Sequence, residues 1–163
     1  MKLHISLGIA LIVLILDLAS KFWVESVLQF GEVIPITSFF NLVLTYNPGA
    51  AFSFLSDQPG WQRWFLSGIA AIASLAIAYM LHKYRQERLF CWSLSLVLGG
   101  ALGNLYDRIM LGHVVDFLDF YIGNYHWPAF NIADSAICIG AALLVYESFR
   151  SKQNPEDSDS KEK

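Results

Sequence analysis

The chain has 163 residues, of which 55% are apolar and 15% charged, with a formal net charge of −3. A soluble domain carries about 25% charged residues, and this apolar content exceeds what one aqueous core of that length uses, so composition points to a membrane protein. The negative charge, with no Lys/Arg cluster interleaved with aromatics, argues against a nucleic-acid partner.

In chain order, Leu3–Leu16 is an uncharged run that meets Asp17 and Lys21 before ending near Val24. Met1-Lys2 followed by a short apolar region has the look of a secretory signal. However, Asp17, Lys21 and Trp23 follow without a small-x-small cleavage site, so the segment reads as a retained first helix. Phe30–Ser56 differs: Val33-Ile34-Pro35-Ile36, Phe39–Tyr46 and Ala51–Phe54 are short, aromatic and β-branched, with Asn47-Pro48-Gly49 as a turn. That pattern predicts two or three strands forming a small sheet outside the bilayer.

Trp64–Leu81 and Leu89–Tyr106 are each 18 residues without a formal charge, long enough to span. The last apolar run, about 130–150, is broken only by Asp134 and Glu147. The expected organisation is one integral-membrane domain over 1–152, with spans at about 3–24, 64–81, 89–106 and 130–150 and a β-cradle at about 30–56. A polar, disordered tail is expected over 153–163. The fold class is therefore an all-α membrane protein of four transmembrane helices with a small extracytoplasmic β-cradle between helices 1 and 2.

Basic residues set the orientation. Lys2, Lys83, Arg85, Arg88, Arg150 and Lys152 flank the spans on one side, whereas Val24–Gln62 and Asp107–Ala129 together carry only Arg108. The positive-inside rule places both termini in the cytoplasm, and Trp61, Trp64, Tyr125 and Trp127 suit an outer aromatic belt. Asp17 then lies about 21 Å along span one from Leu3, Asn104 about 22 Å beyond Leu89, and Asp134 about 6 Å below Phe130. Polar residues from three separate helices thus share the outer third of the bilayer. An ionisable residue at such depth costs roughly 2.5–3.5 kcal/mol on insertion scales and marks function by default.

Spacing groups these residues further. Asp17 and Lys21 are i,i+4 and can pair; Asn104, Asp107 and Arg108 share a face, as do Asn131, Asp134 and Ser135. Gly99 and Gly103 make a GxxxG spacing that permits close helix approach. Each grouping has a structural alternative: a neutralised Asp17–Lys21 pair, an interfacial Asp107–Arg108 pair, and Asn131-x-x-Asp134 as the cap opening span four. Cys91 and Cys138 fall at opposed depths, against a disulfide. His4, His82, His113 and His126 are scattered without metal-ligand spacing. No Gly-x-Ser-x-Gly motif is present. A proton-coupled transporter would need a polar path through the inner half, where Ile69–Leu81 and Leu94–Leu98 offer only scattered Ser. What remains is paired carboxylates doing acid/base work: Asp134, with Asp107, Asp116 and Asp119 competing for the second place.

Several stretches together resemble the lipoprotein signal peptidases, or signal peptidase II. They are Asp17-x-x-x-Lys21, Asn47–Phe52, Gly103-Asn104-Leu105-Tyr106-Asp107-Arg108, Val114-Val115-Asp116-Phe117 and Phe130-Asn131-Ile132-Ala133-Asp134-Ser135, running in order from span one to span four. The resemblance implies an aspartyl endopeptidase of the bacterial cytoplasmic membrane, working near the outer leaflet. It would cut diacylglyceryl-modified prolipoproteins just before the modified cysteine. It assigns catalysis to Asp116 and Asp134, and support of the site or substrate to Asn104, Arg108, Asn131, Asp107, Asn47, Gly49, Asp17 and Lys21. No metal or organic cofactor and no obligate protein partner are implied; membrane lipid is.

Overall fold

The computed structural model describes residues 1–49 and 54–153, with side chains described up to residue 150. Four long helices dominate: α1 (Leu3–Val27), α2 (Trp61–Lys83), α3 (Arg88–Met110) and α4 (Ile132–Gln153). All four are long and apolar enough to cross a membrane. Each of the first three exceeds its expected span by a turn or less at either end. α1 runs three residues past its expected end, and the turn of α3 beyond Tyr106 puts Asp107 and Arg108 on the helix itself.

The helices are turned inside out relative to a soluble bundle. Leu11, Ile12 and Ile15 of α1 and Ile72, Leu75 and Tyr79 of α2 are exposed, whereas Ser6, Ser67, Ser74, Ser93 and Ser95 are buried. Lipid receives the large apolar side chains, and small residues let backbones approach inside. Three of these serines return their hydroxyl protons to the carbonyl one turn earlier: Ser67 to Arg63 (2.7 Å), Ser93 to Leu89 (2.8 Å) and Ser95 to Cys91 (2.6 Å).

Helix α3 packs against all three others, and its glycines explain how. A methyl built on Gly99 would lie 2.6 Å from the Ala10 carbonyl oxygen of α1; one on Gly100 would run into the Ala133 carbonyl of α4; one on Gly103 would meet the Asp17 carboxylate. Gly140 of α4 repeats the device against Ser93. The expected GxxxG contact is real, and it faces α1.

The sheet has four antiparallel strands in the order β1 (Val33–Thr37), β2 (Phe40–Asn47), β3 (Val114–Ile122) and β4 (Tyr125–His126). Only β1 and β2 come from the α1–α2 link, where the cradle was expected; β3 and β4 come from the α3–α4 link, where no strand was expected. Phe40 pairs with Phe120 and Asn47 with Val114, with one extra residue in β2 between Leu42 and Thr45. That bulge re-aims the strand beside the site. Gly123, at φ 60°, makes the tight β3–β4 turn. Of the expected third strand, Ala51–Ser53 lie outside the described residues and Phe54 is in a turn. The expected tail beyond Gln153 also lies outside them. The sheet is fixed to the bundle by a buried cluster of Val24, Leu28, Leu44, Val115 and Phe117. Cys91 and Cys138 are both free.

Candidate active site

At the end of the bundle beneath the sheet, three helices bring buried polar groups together. Lys21 of α1 is at their centre, 2% exposed. Its ammonium lies 2.7 Å from Asp17 Oδ2 and 2.8 Å from Asp107 Oδ2, and it donates to Asn104 Oδ1 at 3.0 Å. The expected Asp17–Lys21 pair is present. The Asp107–Arg108 pair, the structural alternative for these residues, is not among the ion pairs of the described residues: Asp107 turns to Lys21 and also accepts the Val115 backbone N–H (3.2 Å). A helix places i and i+1 on different faces, so Asp107 and Arg108 go separate ways. Asp17 Oδ1 accepts the Ala133 N–H (2.8 Å) and so ties α1 to the first turn of α4.

Lys21 orients what lies above it. Because the ammonium needs an acceptor, Asn104 presents its oxygen to Lys21 and its amide nitrogen to Asp134 Oδ1, at 2.8 Å. Asn131, fully buried, does two jobs. Its Oδ1 accepts the Asp134 N–H (2.9 Å) while the Asn131 N–H reaches Asp134 Oδ2 (3.4 Å), the reciprocal arrangement of a capping box. Its Nδ2 donates to Asp116 Oδ1 at 2.7 Å and lies 3.2 Å from the Val115 carbonyl oxygen. The capping role and the site role coexist in one residue. Asp134 lies in the first turn of α4.

Asp116 arrives from β3, where it lies opposite Thr45. Asn47 hydrogen-bonds its carboxylate and uses its own Oδ1 to accept the Gly49 N–H (2.9 Å). Burial first, and then the charge of Asp134, push Asp116 up to about 7, against the opposing pull of Asn47, Asn131 and Lys21. The other two contenders are occupied elsewhere. Asp107 is held by Lys21, and Asp119 accepts from Asn41 (2.8 Å) and contacts His126 Nδ1 (2.9 Å) on the opposite strand face.

Arg108 spans the gap to the sheet. It donates to the Gly49 carbonyl (2.9 Å) and to the Asn104 carbonyl (3.2 Å), while its buried Nε has no hydrogen-bond partner among the described residues. Gly49 is needed as glycine, since a methyl there would collide with the Phe54 carbonyl. Arg63 was not evident from sequence. From the first turn of α2 it donates to the carbonyls of Arg108 (2.7 Å) and Ile109 (2.5 Å), two of the groups a helix end leaves unpaired. No spacing rule links residues so far apart in the chain.

These groups open onto a cavity of about 740 Å³, within the range of small-molecule and peptide-side-chain pockets. Asn104, Arg108, Asp116 and Asp134 form its polar wall, and Tyr46, Trp127, Phe130 and Ile137 contribute its apolar wall. The other half of the bundle is closed by Ala10, Leu81, Cys91, Leu94 and Leu98. Among the described residues, no group of three or more His, Cys, Asp or Glu converges as metal ligands would. Two carboxylates on one poorly hydrated wall share a proton readily.

Fold and site together define a multi-pass membrane enzyme with an acidic cavity at one end of its bundle. A family model described as Signal peptidase (SPase) II matches residues 9–150, and the chain belongs to that family. A lipoprotein signal peptidase of Janthinobacterium sp. is 55% identical over 144 residues, covering 88% of this chain and 87% of the other. One of Cupriavidus taiwanensis is 53% identical, covering 88% and 82%. A solved structure described as a bacterial membrane enzyme, determined by the in meso method at 2.3 Å, superposes with a TM-score of 0.84 at 33% identity. It covers 93% of this chain and 91% of that one. A second so described, at 1.9 Å, gives 0.77 at 34% identity over 88% and 92%.

Proposed function

We propose that this peptidase is an intramembrane aspartyl endopeptidase that removes signal peptides from bacterial prolipoproteins, cutting the bond before the diacylglyceryl-modified cysteine. The observation that carries the reading is Asn131, whose side-chain nitrogen donates to the Asp116 carboxyl, whose side-chain oxygen accepts the Asp134 backbone N–H, and whose own backbone N–H reaches the Asp134 carboxyl. One residue thereby brings a strand carboxyl and a helix carboxyl to a common cavity.

In this reading Asp134 is ionised and Asp116 carries the shared proton. Asp134 takes a proton from water as the water oxygen attacks the scissile carbonyl carbon. Asp116 donates its hydrogen to the carbonyl oxygen, giving a tetrahedral gem-diol; as the C–N bond breaks, Asp134 passes the proton it took from water to the leaving amine and Asp116 recovers a proton from a gem-diol hydroxyl. Arg108, with its Nε unsatisfied, offers a donor to the substrate backbone. Asn104, Asn131, Asn47 and Gly49 position the dyad and the cradle; Asp17, Lys21 and Asp107 hold the helices beneath it. The basic flanks support cytoplasmic termini by the positive-inside rule, and with them a cavity near the outer leaflet, where the substrate's acyl chains stay in lipid.

The test is the purified full chain with a diacylglyceryl-modified prolipoprotein peptide, its products weighed by mass spectrometry. Cleavage just before the modified cysteine is expected, with the unmodified peptide left intact. Equal cleavage of both peptides, or cleavage at another bond, would overturn the assignment.

A further inference from the structure

The bundle end opposite the active-site cavity carries a second cavity, of about 920 Å³, that the peptidase reading leaves unused. Lys2, His4, Arg85, Arg88 and Trp92 line it. The nitrogen of Met1 donates to the Arg85 carbonyl, which ties the start of α1 to the α2–α3 link. Among the described residues no ion pair engages Lys2, Arg85 or Arg88. The acids of this end, Glu87 and Glu147, are not among the lining residues.

The positive-inside rule accounts for basic residues on this surface but asks only for their presence in the flanks. It does not ask three cationic side chains from two separate segments to converge on one recess beside an indole. Trp92 is half exposed, as are the neighbouring apolar residues Ile5 and Leu7 of α1. A ring that is apolar on one side and polar on the other suits the level of lipid headgroups. Basic recesses between transmembrane helices at that level suit anionic headgroups. We propose that this cavity binds an anionic phospholipid on the membrane surface opposite the active site, its phosphodiester held by Lys2, Arg85 and Arg88 and its acyl chains running along Ile5 and Trp92. The proposal stands independently of the peptidase mechanism.

The experiment uses the full chain in detergent, with phosphatidylglycerol and phosphatidylcholine of matched acyl chains counted on the protein by native mass spectrometry. The native chain is expected to prefer phosphatidylglycerol by about tenfold or more. Arg85→Gln with Arg88→Gln should lower phosphatidylglycerol affinity by about 25-fold, each cation contributing about fivefold. Arg85→Lys with Arg88→Lys should retain most of the affinity, which keeps the test valid if the glutamine pair folds poorly. Lys83→Gln with Arg150→Gln removes equal charge from the same surface outside the cavity and should change little. Equal losses in the two glutamine pairs, or no loss in the first, would overturn the site. Displacement of the lipid by millimolar inorganic phosphate would overturn the lipid assignment in favour of a soluble anion.

Discussion

Asn104 can present its amide in two orientations, and Lys21 selects between them. With the oxygen committed to the ammonium at 3.0 Å, only the nitrogen is left for Asp134. Replacing Lys21 with Met should therefore harm the enzyme twice. It leaves Asp17 and Asp107 buried without their cation, at a cost of about 3 kcal/mol or more, and it frees Asn104 to flip. Adding Asp107→Asn should return part of the lost thermal stability in detergent while leaving kcat low. A rate that recovers in step with melting temperature would reduce Lys21 to a fold-holding residue. At the dyad, Asp116→Asn and Asp134→Asn should each lower cleavage by at least about a hundredfold, in protein that still inserts. Near-normal turnover in either would remove that residue from the chemistry. The raised Asp116 also fixes the sign of a pH effect. Between about pH 4 and 7 the unfolded chain ionises this carboxyl while the folded one does not, so folding is progressively opposed. Asp116→Asn should thus match the parent in stability near pH 4 and exceed it at pH 8, by at most about 4 kcal/mol, read as a higher melting temperature there. Cleavage by the parent should fall as pH rises through about 7, where the pair loses its shared proton. Asp17, Lys21, Asn104 and Asp134 were legible in sequence because a polar residue at bilayer depth is an exception needing a reason. The residues alone left Asp107, Asp116 and Asp119 level, and the preference for Asp116 came only through the family resemblance, since the cross-strand and cross-helix partners that separate the three are not visible along the chain.

At the scale of elements, α3 is the axis on which the site is hung, and its glycines set how near α1 and α4 can come. Gly100 is the informative one, because a methyl there would press on the Ala133 carbonyl and on Ile137, just before Asp134. Gly100→Ala should lower both melting temperature and kcat by displacing the first turn of α4. Gly68→Ala on α2, where nothing lies within 4 Å of the added methyl, should be neutral or slightly stabilising, since alanine favours the helix by about 1 kcal/mol. If the two variants behave alike in melting and turnover, the close approach of α3 and α4 has no bearing on the site. Helices were easy to read because 18 mostly apolar residues without a formal charge, as in Trp64–Leu81 and Leu89–Tyr106, allow little else. The sheet was half legible. The strands before α2 show β-branched and aromatic residues beside a turn, whereas β3 carries three titratable or polar interruptions and borrows its order from β2.

Across the whole molecule, the two cavities lie at opposite ends of one bundle, which makes the membrane orientation measurable. In a background lacking Cys91 and Cys138, a single cysteine at Tyr125 or Ile122, 87% and 84% exposed, should react with an impermeant thiol reagent outside spheroplasts. One at Gln86, an exposed position at the other end, should react only after the membrane is opened. Labelling of the Gln86 position from outside would invert the topology. The pairing of β2 with β3 also has a consequence for how the enzyme comes into being. Strand β2 is made early, yet the strand it pairs with is not synthesised until two further spans have been threaded into the bilayer. Until then Leu42 and Leu44 have no β3 to lie against, and Asp116 does not exist. Asp134 comes later still, in the final span. If the proposed pair does the cutting, a protease built in this order has no cutting edge until its last helix arrives.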